Sequence, residues 1–442
     1  MADIDCAITE APETPSEEPQ PSAPEVCKPL GPPGGSPRHY NMESTSIDDD
    51  TKAKLKGDQI GDTMYNQSFV IKTLMRFNNL EEINCIWGED LENDLCFIWD
   101  MTVEEDVCKF LFELNFPAIA CTVLKADINH RLIEILIGIL GNICTPDSTP
   151  ELKSEHLPII LDHIDTDDHL ILIQLMRFVK VIAFKAEKIE FANVEIMEKI
   201  IFILYNSMNV GLLEISLDAV DKMTSDKKLP VEFLHENLLE ACFTAFKVIY
   251  DSENDSETDA YKTDVVKRNM NHLLQVLVNM AVYCQAIETP ATAAIRRKVD
   301  EHKIVVFGEL HEILKGYADE FDITEDVGFV FQSIDYVLSA FGMKCYKLTV
   351  AIIKMAAILN PKSVTETVMN SYVELIKELF SKLDVSDDEF ITALKSKCED
   401  DEEKEKLLRA LDALREWKLE CEGFDFDEKV QSIVDICSAE DS

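Results

Sequence analysis

The sequence predicts an all-α repeat protein that follows a disordered N-terminal tail. Three observations predict it: apolar residues recur with helical spacing from Met64 onward, one helical pattern returns about every 40 residues, and the first 60 residues are rich in proline and acidic residues. Helical spacing of apolar residues indicates amphipathic helices. A fixed period of roughly 20 to 50 residues indicates a stack of similar units.

The tail is predicted over residues 1–60. Nine of the sixteen prolines lie between Pro12 and Pro37, among Glu, Ser and Gly and with almost no large apolar side chains. Such a segment buries too little apolar surface to offset the entropy of ordering it. Its PxxP spacings could present polyproline II to a recognition module, but the acidic flanks favour a solvated tail.

Helix-start signals agree with the helical pattern. Residues 102–105 (TVEE) and 386–389 (SDDE) have the form of capping boxes, and Pro117 is placed for the first turn of a helix. One helix has apolar residues at i, i+3, i+4, i+7, i+8 and i+11, namely Leu132, Ile135, Leu136, Ile139, Leu140 and Ile143. Further helices are predicted at about 150–161, 168–185, 193–207, 210–224, 230–250, 262–285, 289–316, 325–341, 344–359, 362–383, 386–398, 402–421 and 426–437.

The end of one helical pattern recurs along the first half of the chain. Leu140, Val179 and Val220 take equivalent positions in it, 39 and 41 residues apart. This is the period of armadillo and HEAT repeats, in which stacked helices form a solenoid and the inner helices line a concave surface. The sequence therefore predicts an armadillo/HEAT-like solenoid. A weaker match lies at residues 273–280, and no convincing repeat is evident beyond about residue 290.

The predicted organisation has five parts. They are a disordered tail over 1–60, armadillo-like repeats over 61–250, an acidic loop over 251–260, a continuing helical array over 261–385 and charged C-terminal helices over 386–442.

The charge of the chain restricts its partners. It has 84 Asp and Glu against 42 Lys and Arg, a formal net charge of −42. Direct nucleic-acid binding is not expected, because binding phosphates needs basic patches. A protein with a basic surface is the electrostatically favoured partner.

Leader, membrane and disulfide signals are not found in the sequence. The acidic, proline-containing start does not fit a signal peptide, and no apolar run reaches the roughly 18–20 residues of a membrane span. The thirteen cysteines are scattered singly, and we expect them to be reduced and to act as small buried apolar side chains. We expect a soluble protein of a reducing compartment without membrane contact, and we leave its oligomeric state open.

A local resemblance adds to this interpretation. Residues 93–107 contain the motifs I-W-D-M and E-D-V, and residues 138–142 read G-I-L-G-N. At these separations the motifs resemble the serum amyloid A-like protein 1 family, with weaker similarity over about 58–240. The resemblance implies an armadillo-type fold, location in the nucleus and a role in cell proliferation. An additional location in the cytoplasm is left open. The resemblance implies no enzymatic activity and no cofactor.

A cluster of histidine and aspartate is a candidate metal site. His163 and His169 lie among four aspartates in residues 162–168, and their nitrogen and oxygen atoms could bind a divalent ion. The spacing matches no zinc finger or H-E-x-x-H helix. The favoured interpretation is a turn in which Asp165 or Asp167 caps the helix that begins near His169. No metal and no cofactor are predicted.

Asn142 and Asn279 are the candidate partner-binding residues. In armadillo proteins that bind extended peptides, an asparagine near the end of each inner helix bonds the peptide backbone, and these two asparagines match that position. The intervening helices carry Val181 and Lys222 there, and Gly138 replaces the usual preceding tryptophan, so a continuous ladder is not expected. A local role for Asn142 as a cap or turn residue is the favoured interpretation.

Gly138 and Gly141 lie in a helical pattern without a preceding strand, so we expect close helix packing there and no phosphate-binding loop.

Ser252 and Ser256, each followed three residues later by an aspartate, are candidate phosphorylation sites, with a charged linker as the alternative. Phosphate at either serine would strengthen pairing with a basic partner.

Taken together, these features predict a scaffold that binds other proteins and catalyses no reaction. A chaperone or transport adaptor that carries basic protein cargo is the alternative. An enzyme with an unfamiliar helical active site is the least favoured hypothesis.

Overall fold

The apolar pattern folds into eighteen α-helices within the part of the chain that the computed structural model describes. The described residues are 57–439, apart from 79–86, 127, 188, 190, 192, 226–227, 231–232, 255–263, 287–288, 320–324, 343, 360–363, 420 and 422. The predicted tail up to residue 56 lies outside them.

The first nine helices are α1 (Gln67–Met75), α2 (Glu89–Met101), α3 (Glu105–Glu113), α4 (Phe116–Leu124), α5 (His130–Ile143), α6 (Leu157–Leu161), α7 (His169–Lys185), α8 (Val194–Asn206) and α9 (Val210–Thr224). The other nine are α10 (Glu236–Asn254), α11 (Asp264–Ala286), α12 (Pro290–Asp319), α13 (Glu325–Phe341), α14 (Tyr346–Met355), α15 (Glu366–Lys382), α16 (Asp388–Cys398), α17 (Asp401–Glu416) and α18 (Phe426–Ser438). The described residues contain no β-strand, so the all-α prediction is confirmed.

The helices stack in two layers. In the first layer, α5, α7, α9, α11, α13 and α15 pack side by side, and in the second layer α8, α10, α12, α14 and α16 do the same. Neighbours in the first layer pack more extensively than neighbours in the second. Because the inner arc of a curved stack is the shorter one, we assign the first layer to the concave side and call it the inner layer. This is the predicted armadillo/HEAT-like solenoid.

The stack continues beyond the point where the sequence pattern fades. The inner helices α11, α13 and α15 pack in succession just as α7 and α9 do. Their first residues are Asp264, Glu325 and Glu366, so the spacing along the chain is uneven. The 30-residue helix α12 lies between α11 and α13 and lengthens that interval. A search for a fixed period therefore loses the register although the packing persists.

Local signals locate the helix ends differently from two predictions. Helix α6 begins at Leu157 and has Pro158 in its first turn, whereas the predicted helix 150–161 would have placed this proline in the interior, where it cannot donate the required N–H bond. Thr102 does not start a helix: it is the C-terminal cap of α2, and its hydroxyl donates to the carbonyl of Trp99.

The aspartates and asparagines supply most of the N-terminal caps. In α16 the cap is Asp387, whose carboxylate accepts from the N–H of Glu389, so the predicted start at Ser386 is one residue early. A side-chain oxygen likewise accepts a backbone N–H at the start of α1, α5, α7, α8, α9, α17 and α18, from Asn66, Asn129, Asp168, Asn193, Asn209, Asp400 and Asp425.

Two predicted segment boundaries differ from the structure. Ile60 is buried, and the carboxylate of Asp58 accepts from the N–H and the hydroxyl of Ser68 at 3.0 and 2.7 Å. The packed body therefore includes the last residues of the segment predicted as tail. Helix α10 runs to Asn254, so the first four residues of the predicted acidic loop are helical, and residues 255–260 lie outside the described part.

Among the described residues, no single helix is long and apolar enough to cross a membrane. Helices α3 and α4 pass the same test of length and composition as a pair, but they are bent by 71° relative to each other.

Close packing of α2 against α5 depends on a glycine. An added Cβ at Gly138 would lie 2.1 Å from the ring atom Cζ2 of Trp99, well inside van der Waals contact. At Gly141 the nearest atom, the Cα of Phe178, would be 3.8 Å away, which is an ordinary contact. The two glycines predicted to allow close packing are therefore not equivalent, since only Gly138 is required by its neighbour.

We predict that Gly138→Ala lowers the free energy of unfolding by about 1–3 kcal/mol, because the methyl group displaces the Trp99 ring. The matched control is Gly141→Ala in the same helix, which should be neutral or stabilising by up to about 1 kcal/mol, since alanine is the better helix former. Urea denaturation of both variants measures the difference. Equal stabilities of the two variants would contradict the packing argument.

Candidate protein-binding groove

Asn142 lies in the last turn of the inner helix α5 and is half-buried. Its Nδ2 donates to Oγ1 of Thr102, the residue that ends α2, at 2.9 Å. The side-chain amide therefore fastens α5 to the neighbouring helix. Among the described residues, none donates to the carbonyl oxygen Oδ1 of Asn142.

Asn279 makes a similar contact three helices further along the inner layer. It lies on α11, is 8% exposed, and its Nδ2 donates to Oγ1 of Thr224, the last residue of α9, at 3.1 Å. Its Oδ1 accepts from Nε2 of Gln275 at 2.9 Å. Both the nitrogen and the oxygen of this side-chain amide are thus hydrogen-bonded inside the protein.

The two asparagines share a structural function that the sequence did not reveal. Each bonds the threonine at the end of another helix that packs against its own, 40 residues away for Asn142 and 55 for Asn279. That each asparagine also binds a partner stays a prediction. The free Oδ1 makes Asn142 the better placed of the two.

Charged side chains connect the next inner helices. Lys180 of α7 lies 2.6 Å from a carboxylate oxygen of Asp218 on α9. Glu214 of α9 accepts from Arg268 at 3.2 Å and from Asn269 at 2.9 Å, both on α11. Acids and bases therefore alternate across the concave face and hold successive repeats in register.

A histidine and two aspartates come together on the same face. One ligand atom from each of Asp218, Asp221 and His272 lies within 4.8 Å of the others, and Nδ1 of His272 lies 3.0 Å from Oδ2 of Asp221. Two ammonium groups already occupy the position of a counter-ion, because Lys222 lies 2.7 Å from Asp221 and Lys180 lies 2.6 Å from Asp218. The arrangement is a charge-balanced network, in which a divalent ion would have to displace both lysines.

The predicted cluster around His163 and His169 is not assembled as a metal site in the described part of the chain. Asp165 pairs with Lys199. The cap of α7 is Asp168, whose carboxylate accepts from the N–H of Leu170 at 2.9 Å, and not Asp165 or Asp167 as predicted. Burial lowers the pKa of His163, so this imidazole favours its neutral form.

A cavity of about 250 Å³ opens between α5, α7 and α9. Arg177, in the middle of α7, is exposed on it, and its Nη1 donates to Oε1 of the buried Gln174 at 3.0 Å. The described lining residues are Gly138, Gly141, Asn142, Thr145, Gln174, Arg177, Lys180, Val181 and Ile215. Two of them are cations and none is a carboxylate.

A larger cleft of about 530 Å³ lies where the α5–α6 and α7–α8 connections meet. Cys144 lines it, and burial raises the pKa of this thiol to about 12. Burial also raises the thiol pKa of Cys108 and Cys121 to about 11. These thiols stay protonated at neutral pH, which agrees with the expected role of the cysteines as buried apolar side chains.

The candidate phosphorylation sites are only partly visible. Ser252 is exposed in the last turn of α10 and not in a loop. Ser256 lies outside the described residues. Modification of either serine stays a prediction.

Acidic residues outnumber basic ones at the C-terminal end. Residues 386–442 contain 19 Asp and Glu against 8 Lys and Arg, and α17 opens with Asp401, Glu402 and Glu403 in its first turn. The groove between α5 and α9 differs from this end because its acids and bases are matched. The negative charge is therefore unevenly placed along the solenoid.

Curated relatives confirm the resemblance seen in the motifs. The chain is 30% identical over 209 residues to Protein saal1 of Danio rerio, a match that covers 43% of this chain and 44% of that protein. It is 31% identical over 201 residues to Protein SAAL1 of Homo sapiens, covering 40% of this chain and 42% of the relative. Each match thus spans less than half of the relative's length. No protein-family model matches the chain.

Two solved structures share the helical character at low similarity. A designed armadillo repeat protein in complex with the peptide (KR)4 is 13% identical, with a TM-score of 0.36 over 61% of this chain and 98% of that chain. An engineered protein is 10% identical, with a TM-score of 0.38 over 84% of this chain and 99% of that chain. Scores this low support no inference about binding, and the fold assignment rests on the helix stacking of this chain.

We predict that Asn142 and Thr102 couple energetically. In a double-mutant cycle with Asn142→Ala and Thr102→Val, the coupling in the free energy of unfolding should be about 0.5–1.5 kcal/mol, the usual net value of one such hydrogen bond. Thr122→Val is the control, because the Thr122 hydroxyl bonds the carbonyl of Ala118 within α4. Coupling as large with the control as with Thr102 would refute the inter-helix bond.

Proposed function

We propose that this chain is a non-catalytic scaffold that binds other proteins through the concave face of α5, α7, α9 and α11. The observation that carries the proposal is the groove itself. Contacts between repeats hold its side chains in place. Asn142 donates a hydrogen bond to Thr102, and Lys180 forms a salt bridge with Asp218. A surface fixed before binding loses little side-chain freedom when a partner docks, which favours recognition.

The state of the reactive groups supports a role without chemistry. His272 is bonded to Asp221, and Lys180 is paired with Asp218, so each of these groups has a partner of opposite or complementary charge. Burial holds the pKa of the Cys144 thiol at about 12, far from the range of a nucleophilic thiolate. Groups that are paired or protonated in this way suit a binding surface better than an active site.

The chemistry of the partner follows from the uneven charge. We propose that it carries a basic surface that meets the acidic C-terminal segment, residues 386–442, while another part of it enters the groove. A field of one sign accelerates association with a basic protein, and salt weakens the effect within a screening length of about 8–10 Å.

Location and cellular role remain proposals that rest on the resemblance. We propose a nuclear protein, with a cytoplasmic pool as an open alternative, and a role in cell proliferation. The alternative function is a chaperone or transport adaptor for basic cargo, which the acidic C-terminal helices favour. An adaptor should bind many basic peptides reversibly, whereas a scaffold should bind one or two defined partners.

We predict that blocking the groove abolishes capture of the partner. The full chain serves as bait in nuclear extract, the captured protein is identified by mass spectrometry, and its purified form is titrated at low and physiological ionic strength. Thr145→Trp places a bulky ring at the exposed mouth of the cavity and should weaken binding at least tenfold. Binding to the unmodified chain should also weaken as salt rises.

The matched control is Thr122→Trp. Thr122 is also exposed and also bonds the carbonyl four residues before it, but it lies on α4, outside the inner layer. This control should bind like the unmodified chain. Equal affinities of the two variants would reject the groove as the binding surface, and an affinity that salt does not change would reject the basic partner.

A further inference from the structure

Arg177 differs from the other cations of the concave face. It is exposed, and a single intramolecular bond orients it, from Nη1 to Oε1 of Gln174 at 3.0 Å. Gln174 is 9% exposed and so is a fixed support. A guanidinium group has five N–H donors. No carboxylate of the described residues lies within 4 Å of this one.

Most other described arginines pair with an acid, in a chain that has twice as many acids as bases. The exceptions are Arg296, which donates to two backbone carbonyls, and Arg415, which bonds Gln431, and neither lines the cavity between α5, α7 and α9. Five other described arginines pair with a carboxylate at 3.0–3.5 Å. They are Arg76, Arg131, Arg268, Arg297 and Arg409. An arginine left without such a partner on the concave face has most of its donors available to a ligand.

The surroundings of Arg177 favour an anion. Lys180 lines the same cavity, and the described lining residues include no carboxylate. Gly141 adds no side chain on the α5 side of the cavity. A carboxylate can accept two parallel N–H bonds from one guanidinium, and such charge-assisted pairs are about twice as strong as neutral hydrogen bonds.

The size of the cavity indicates which kind of ligand carries the anionic group. Its volume of about 250 Å³ lies below the roughly 300–1,000 Å³ of pockets that enclose a whole small molecule. It accommodates one side chain of a longer ligand. Asn142 lies on the same cavity with its Oδ1 free to accept a peptide N–H, which is the contact that an extended backbone offers.

We infer that the cavity between α5, α7 and α9 is a specificity subsite for an aspartate or glutamate of an extended partner peptide, with Arg177 as the residue that binds the carboxylate. The inference rests on the proposed function and names one residue of the partner. It is compatible with a partner that is basic elsewhere, because the acidic residues 386–442 lie at another part of the solenoid.

Selection from a displayed library of random twelve-residue peptides tests the subsite on the full chain. The unmodified chain should enrich peptides with Asp or Glu at one fixed position. Arg177→Glu should instead enrich Lys or Arg at that position. Arg409→Glu, at an exposed arginine of α17, is the matched control and should select like the unmodified chain. A synthetic acidic peptide from the selection should bind Arg177→Glu about 10–100-fold more weakly.

The outcomes separate the subsite from the groove. Enriched peptides without an acidic position, whose binding is still lost in Thr145→Trp, overturn the Arg177 subsite and leave the proposed function standing. Enriched peptides that bind Thr145→Trp unchanged overturn both. A synthetic peptide of residues 1–56 that displaces the selected peptides only when Arg177 is present overturns the assignment to a partner, because the occupant is then this chain's own N-terminal segment.

Discussion

Packing between neighbouring inner helices is the constraint on which the rest of the structure depends. A pair of helices cannot bury its wide apolar face alone, so each repeat must lie against the next. The approach of α2 to α5 is close enough that Trp99 occupies the space of a Cβ at residue 138. Where helices pack this closely, polar groups at their ends and on the concave surface must find partners across the repeat boundary.

Those partners determine what the concave face can do. Asn142, Lys180 and Glu214 each bond a residue of a neighbouring helix, so the face is rigid and nearly neutral. Its capacity for recognition lies in the few groups that remain available, chiefly the guanidinium of Arg177 and the carbonyl oxygen of Asn142. Acid is in excess elsewhere, as in residues 386–442, and acts at longer range. Local recognition and long-range attraction thus occupy different parts of the molecule.

The sequence predicted the properties that depend on near neighbours. Helical spacing gave the helices, the 39- and 41-residue intervals gave the stacking, and Gly138 indicated close packing. The sequence could not predict contacts between residues that are far apart in the chain. No local pattern links Asn142 to Thr102, and no local pattern shows that Arg177 lacks an acidic neighbour. Four clustered aspartates left the cap of α7 ambiguous, and Asp168 takes it because its carboxylate is the one that reaches the N–H of Leu170.

The central claim is that a partner protein lies in the groove of α5, α7 and α9. Hydrogen–deuterium exchange of the full chain, alone and saturated with its purified partner, measures this directly. The account predicts slower exchange on binding in the last turn of α5 and along α7 around Arg177, whatever happens at the acidic helices. Protection confined to α16, α17 and α18, with α5 and α7 unchanged, would contradict it.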